Sequence, residues 1–232
     1  MPGEIEVWPD APDALIRIQQ RLAAMSPAPC TIDGGMHAVA GCWICHAKGR
    51  AGEGAAGDPC WAAAALAVEG SLEAVETVSG TAPACYQPGL LALREGPLLE
   101  AAVRRLPELP DVLLVNATGL DHPRRAGLAL HLGAKLSLPT VGVTRRPLLA
   151  EGPWPADERG AATLLRIGGE VAGCWLRTRR GALPLVVHPA WCTSLETAVA
   201  VVMATTGRWR TPEPLRQARR AAREARAGAA FA

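Results

Sequence analysis

Asn116, His122 and Arg145 are the side chains of this 232-residue chain whose types and settings point to chemistry. In α/β sheets, ligands sit beyond the carboxyl ends of parallel strands, and Asn116-Ala-Thr-Gly119 and Thr144-Arg145-Arg146 each follow a short apolar run of that kind. His122-Pro-Arg-Arg125 opens the helix expected next, and two arginines and a histidine at a helix amino terminus suit an anion such as phosphate. Arg124 and Arg125 read equally well as solvated first-turn charges. Cys42-Trp-Ile-Cys45 is a single C-x-x-C; zinc would need two more ligands and a redox pair would open a helix, so the pattern reads as buried strand thiols.

Period sets the elements that position these residues. An amphipathic helix is expected over 9–24, two strands meeting near Ala40-Gly41 within 30–47, and strands at 61–68 and 72–78 joined across Glu69-Gly70, together an antiparallel meander. The pattern then becomes helix to about 106, strand 111–115, helix 126–136 and strand 139–143. Three further strands are expected at 164–167, 171–177 and 183–187. Thr193-Ser-Leu-Glu196 has the spacing of a capping box before a helix over 198–203. The tail, about 212–228, is a helix with Arg216, Arg219, Arg220, Arg223 and Arg226 in one stripe, and Leu215, Ala218 and Ala222 beneath them. An α/β fold results: a mixed sheet, an antiparallel meander followed by parallel strands, flanked by helices.

Composition sets outer limits. With 49% hydrophobic and 20% charged residues the chain can bury a real core, and it is expected to form one domain over 1–232. No run approaches the roughly 20 apolar residues of a membrane span, and no basic-then-apolar leader opens the chain, so a soluble cytoplasmic protein is expected. Seven cysteines, an odd number, fit free thiols in a reducing compartment. Arginine outnumbers lysine 22 to 2, a signature of a GC-rich bacterial genome. Net charge is +2, yet from Arg208 onward seven arginines face Glu213 and Glu224, leaving −3 on the rest, so any attraction for a polyanion is local.

YQPGLLALREGPLLEA from Tyr86, followed by PDVLLVNATGLDHPRRAGLALHLGAKLSLPTVGV, resembles the endonuclease V family, which nicks nucleic acid near deoxyinosine or inosine. The likeness extends through VWPDAPDALIRIQQRLA, PLVVHPAWCTSLETAV and RTPEPLRQARR. It implies a ribonuclease H-like fold and a divalent metal, usually Mg²⁺, held mainly by carboxylates that activate the attacking water. It also implies that Tyr86, in the family's P-Y-x-P segment, is the wedge inserted beside the lesion, with Pro88-Gly89 after it. Glu95 keeps the Glu of the family's F-R-E segment. Asn116 replaces the Asp of D-G-H-G, the first-strand Asp of I-x-G-x-D falls on Met36 of Ile32-Asp-Gly-Gly-Met36, the late His falls on Trp191, and the Lys after V-G-V is Arg145. Asp121 and His188, read as loop residues, are the candidates for rescuing the metal set.

Three of four metal positions are thus changed, because Met is a soft thioether, Trp only donates and Asn is neutral. The resulting expectation is a repurposed cleft: no metal, with Glu95, Asn116, His122 and Arg145 acting on a small or nucleotide-like molecule, as a metal-independent enzyme or with a partner subunit in specialised biosynthesis. Tyr86, Gly89, Arg124, Arg125, Met36 and Trp191 line it. Two alternatives stay open: the family's inosine-directed nuclease with Mg²⁺ or Mn²⁺, and a nucleic-acid-binding protein that does not cut.

Overall fold

A computed structural model describes residues 7–25, 27–29, 36–47 and 54–229. Eight strands form one sheet in the order β3-β2-β1-β4-β5-β8-β7-β6. β1 (Ala38–His46), β2 (Pro59–Val68) and β3 (Ser71–Thr81) are the antiparallel meander. β4 (Val112–Val115) and β5 (Thr140–Thr144) continue it in parallel with β1. β8 (Leu185–Pro189), β7 (Glu170–Leu176) and β6 (Ala162–Ile167) close the sheet antiparallel. The turn between β2 and β3 is made by Glu69 and Gly70, both at positive φ, the pairing a tight hairpin requires.

β1 is one continuous strand, where two were expected to meet near Ala40-Gly41. The small residues there are explained by what crosses them. A Cβ on Gly41 would run into the backbone of Pro214 and Leu215 at the start of α5 (Glu213–Ala229), so glycine marks a helix lying directly on the strand. The part of the first expected strand over 30–35 lies outside the described residues.

Side-chain alternation then divides the molecule into two sides. Ala38, Ala40 and Cys42 point into a core shared with α1 (Pro12–Met25), α2 (Leu91–Val103) and α3 (Leu128–Leu136). Val39 and Cys45 point the other way, toward α5 and α4 (Leu195–Ala204). Leu215, Ala218 and Ala222 of α5 are buried against the sheet, so the arginine stripe rims a docked helix. The C-x-x-C cysteines consequently face opposite sides of the strand and cannot act as a pair. Burial pushes both thiols up, and Cys45 Sγ donates to Ala222 O at 3.2 Å.

Helix ends follow local chemistry with small offsets. α4 is capped by Ser194, whose Oγ accepts from Thr197 N at 3.0 Å, one residue later than the expected Thr193. Thr193 Oγ1 donates to Thr140 O at 2.8 Å instead, tying the helix start to β5. Among the described residues no helix is long and apolar enough to cross a membrane.

His131 of α3 is fully buried and stacks on Trp8, with ring centroids 4.6 Å apart. Burial, then the positive charges of Lys135 and Arg21, lowers its pKa to about 4. Burial does the same first for His122 and His188, also to about 4. The unfolded chain binds these protons below about pH 6.5, so stability is full above that value, declines as pH falls toward 4 and levels off below. We expect the urea midpoint to drop between pH 7 and pH 5. His131→Phe, which keeps the stack, should show roughly a third less of that drop, one histidine of three.

Candidate functional site

The carboxyl ends of β1, β4 and β5 lie side by side, and the register decides what meets there. Cys42 pairs with Val115, so the next residues, Trp43 and Asn116, are neighbours where β4 ends. Val39-Ala-Gly41-Cys-Trp43 therefore carries the family's first-strand pattern, with its glycine under α5 and Trp43 in the place of the aspartate. The expected position, Met36, precedes β1 and lines a different crevice with His37, Glu69 and Trp209, at the opposite end of the strand. Sequence reading missed Trp43; the spaced glycine of V-x-G-x-W was the available signal.

Two crevices open on either side of Asn116. One, about 200 Å³, is lined by Tyr86, Gln87, Gly89, Asn116, Thr118 and His122 among others. The other, about 20 Å³, is lined by Trp43, Asn116, Thr144, Arg145 and Arg219 among others. Trp191 lines neither. It is 6% exposed and packs with Leu22, Ala126, Leu130 and Ala134, while its amide donates to Thr140 Oγ1 at 3.1 Å.

The lip of the larger crevice is fixed by one carbonyl. Gly89 O, in a residue at φ +76°, accepts from Gln19 Nε2 at 3.1 Å, His122 Nε2 at 3.1 Å and Arg124 Nη2 at 2.7 Å. Arg124 Nε also donates to Gln19 Oε1 at 2.6 Å. Since His122 Nδ1 accepts from Arg124 N at 3.2 Å, its proton is on Nε2, the tautomer this clamp needs. The His-Pro-Arg-Arg segment does not open α3 as expected: the helix is capped by Gly127, and the segment lies in the loop before it. Arg124 is held inside the clamp, and Arg125, at φ +56°, pairs with Glu170 at 2.5 Å, so neither arginine is a first-turn anion ligand. Tyr86 stands on this lip, 39% exposed.

Glu95 on α2 accepts from His46 Nε2 at 3.2 Å. His46 Nδ1 in turn accepts from Arg94 Nη2 at 3.3 Å, which places the His46 proton on the Glu95 side. Arg94 is buried, pairs with Asp58 at 3.0 Å and donates to Ala55 O and Ala84 O, both at 2.7 Å. His46 was not singled out from sequence, because a lone histidine at a strand end carries no spacing signal.

The two rescue candidates are both committed elsewhere. Asp121 is fully buried and accepts from the amides of Leu148, Leu149 and Ala150 at 2.6, 2.8 and 2.9 Å. His188 belongs to β8 rather than a loop, and its Nε2 meets Thr144 Oγ1 at 2.9 Å. Mg²⁺ requires several hard oxygen donors near octahedral geometry. Around Asn116 stand a tryptophan, an amide and guanidinium groups, Glu95 is engaged by His46, and no cluster of three or more His, Cys, Asp or Glu side chains suited to a metal occurs among the described residues. These residues do not fit the ion.

The Endonuclease V family profile matches residues 29–220. The chain belongs to the endonuclease V family. It is 37% identical to the Endonuclease V of Roseiflexus castenholzii over 94% of each chain. It is 45% identical to that of Geotalea uraniireducens over 63% of this chain and 64% of the other, so that match spans less than two thirds of the relative. The crystal structure of the Streptomyces avermitilis endonuclease V superposes with TM-score 0.84 at 31% identity, covering 98% of this chain and 100% of that one. The ribonuclease H-like fold expected from sequence is the fold observed. The expectation of a cleft repurposed for small-molecule or partner-assisted biosynthetic chemistry is overturned: it rested on ligand losses alone, and the relatives across the chain are named as nucleases.

Two measurements probe the site. Arg124→Ala should cost about 1–3 kcal/mol by leaving the clamp incomplete, and should speed amide exchange over residues 86–90. In calorimetry, Trp43→Asp combined with Asn116→Asp should bind Mn²⁺ more tightly than the parent, whereas Met36→Asp should not.

Proposed function

We propose that this chain acts on inosine- or deoxyinosine-containing nucleic acid as an inosine-directed endonuclease, the activity its family membership implies. The observation that carries this reading is the Tyr86–Gly89 lip. A half-exposed aromatic lines a crevice of about 200 Å³, three residues before the carbonyl of Gly89 that three donors clamp. An aromatic so placed suits stacking in the position of an extruded base, while the base enters the crevice. Asn116, Thr118 and Gln87 offer its edges both donors and acceptors.

Glu95 lines neither crevice; it is the acidic residue that the resemblance to the family's F-R-E segment singles out, and the proton held on His46 Nε2 orients its carboxylate. Mg²⁺ or Mn²⁺ is the cofactor the family implies. The residues around Asn116 do not supply its oxygen ligands, so the role assigned here to the cleft is recognition and orientation of the strand. A second reading, binding without nicking, is favoured by Trp43 standing beside Asn116 in place of a carboxylate.

Inosine-containing single- and double-stranded oligonucleotides, incubated with Mg²⁺, Mn²⁺ or EDTA, separate the two. We expect a nick near the lesion that is lost in Glu95→Ala and loses its inosine preference in Tyr86→Ala. A salt-dependent gel shift without a nick selects the second reading. Neither nick nor shift refutes both.

A further inference from the structure

In the smaller crevice the charge balance of a metal site is inverted. Arg145 is exposed at the end of β5, Arg219 projects from α5 and Arg210 lies nearby, and none of the three has a carboxylate partner among the described residues. Arg219 stacks on the Trp43 ring, its guanidinium carbon 5.2 Å from the centroid. A stacked guanidinium keeps its in-plane N–H groups for acceptors at the edge. Arg210 Nε and Arg219 Nε are buried and make no hydrogen bond, although Arg210 Nη2 donates to Pro184 O at 3.2 Å. Burial and then the charge of Arg145 lower the pKa of Arg210; burial, then Arg223 and Arg145, lower that of Arg219. An anion would relieve that mutual repulsion.

We propose that this crevice, at Trp43, Asn116, Arg145 and Arg219, is a phosphate site that works without a divalent ion. A nuclease whose carboxylates repel phosphate needs a cation between the two. Here Trp43 and Asn116 carry no charge, and the guanidiniums present fixed positive charge directly. The crevice holds about 20 Å³, room for one phosphate oxygen, with the rest of the group in solvent between Arg145 and Arg219. Thr144, whose Oγ1 accepts from His188 and donates to Arg146 O at 2.8 Å, forms a fixed wall. Assigning the phosphate to a nucleic-acid backbone rests on the reading above, whereas anion binding itself does not.

Calorimetric titration of the full chain with inorganic phosphate and with pyrophosphate in EDTA tests the site. We expect binding that Mg²⁺ does not tighten, weakened about tenfold in Arg145→Gln and in Arg219→Gln. Arg220→Gln, which removes an exposed arginine paired with Glu224 at 2.7 Å, should leave it unchanged. Arg145 is exposed, so its variant reports even if Arg219→Gln fails to fold. Displacement of phosphate by a thymidine tetranucleotide assigns the site to a nucleic-acid backbone, and binding without displacement assigns it to free phosphate. No binding in EDTA, binding that needs Mg²⁺, or Arg145→Gln behaving like Arg220→Gln would overturn the proposal. Because this assay contains no inosine, absence of both nicking and gel shift on inosine-containing oligonucleotides would refute the endonuclease and binding readings and leave the phosphate site standing.

Discussion

The backbone of α5 rests on the backbone of β1 at Gly41, and the arrangement of the cleft follows from that contact. Any side chain at Gly41 would drive helix and strand apart. With the helix seated, the odd-numbered side chains of β1 face α5, which brings Trp43 under Arg219. Parallel pairing with β4 then sets Trp43 beside Asn116. A residue with no chemistry of its own thus determines which residues meet at the centre.

Around that centre, charge has been reorganised. The polar groups that look able to ligate a metal serve instead as structural ties: buried Asp121 gathers three amides of the 148–150 loop, buried His188 holds Thr144, and partly buried His46 holds Glu95. Each makes hydrogen bonds that movement would forfeit, which is why proximity in sequence to a missing ligand does not make a replacement. Positive charge enters from Arg219 of α5, and from Arg145 at the end of β5, where the family's pattern has a lysine.

Much of the fold was legible because strand and helix periods differ, and most apolar runs between turn residues became elements within a few positions, the single strand β1 in place of two being the exception. The family was legible from the Tyr86–Val143 segment. The site was less so. The first-strand pattern was sought at Ile32–Met36 because Ile32 and Gly34 repeat the I-x-G spacing, and the register that places Trp43 at the centre depends on pairing with a strand some seventy residues later. Trp191 read as a pocket wall because its side-chain direction, into the α1–α3 side, is a tertiary fact. His46 and Arg219 gave no local signal, since the partners that define them come from α2, α5 and β1.

The Gly89 carbonyl ties its own loop to two other pieces of the molecule, through one side chain from α1 and two from the loop before α3. A loop anchored that way has lost the freedom to adapt its tip. Whatever enters beneath Tyr86 must suit an opening whose height is set by helix packing, and the protein then discriminates by rejecting poor shapes rather than by moulding itself around them.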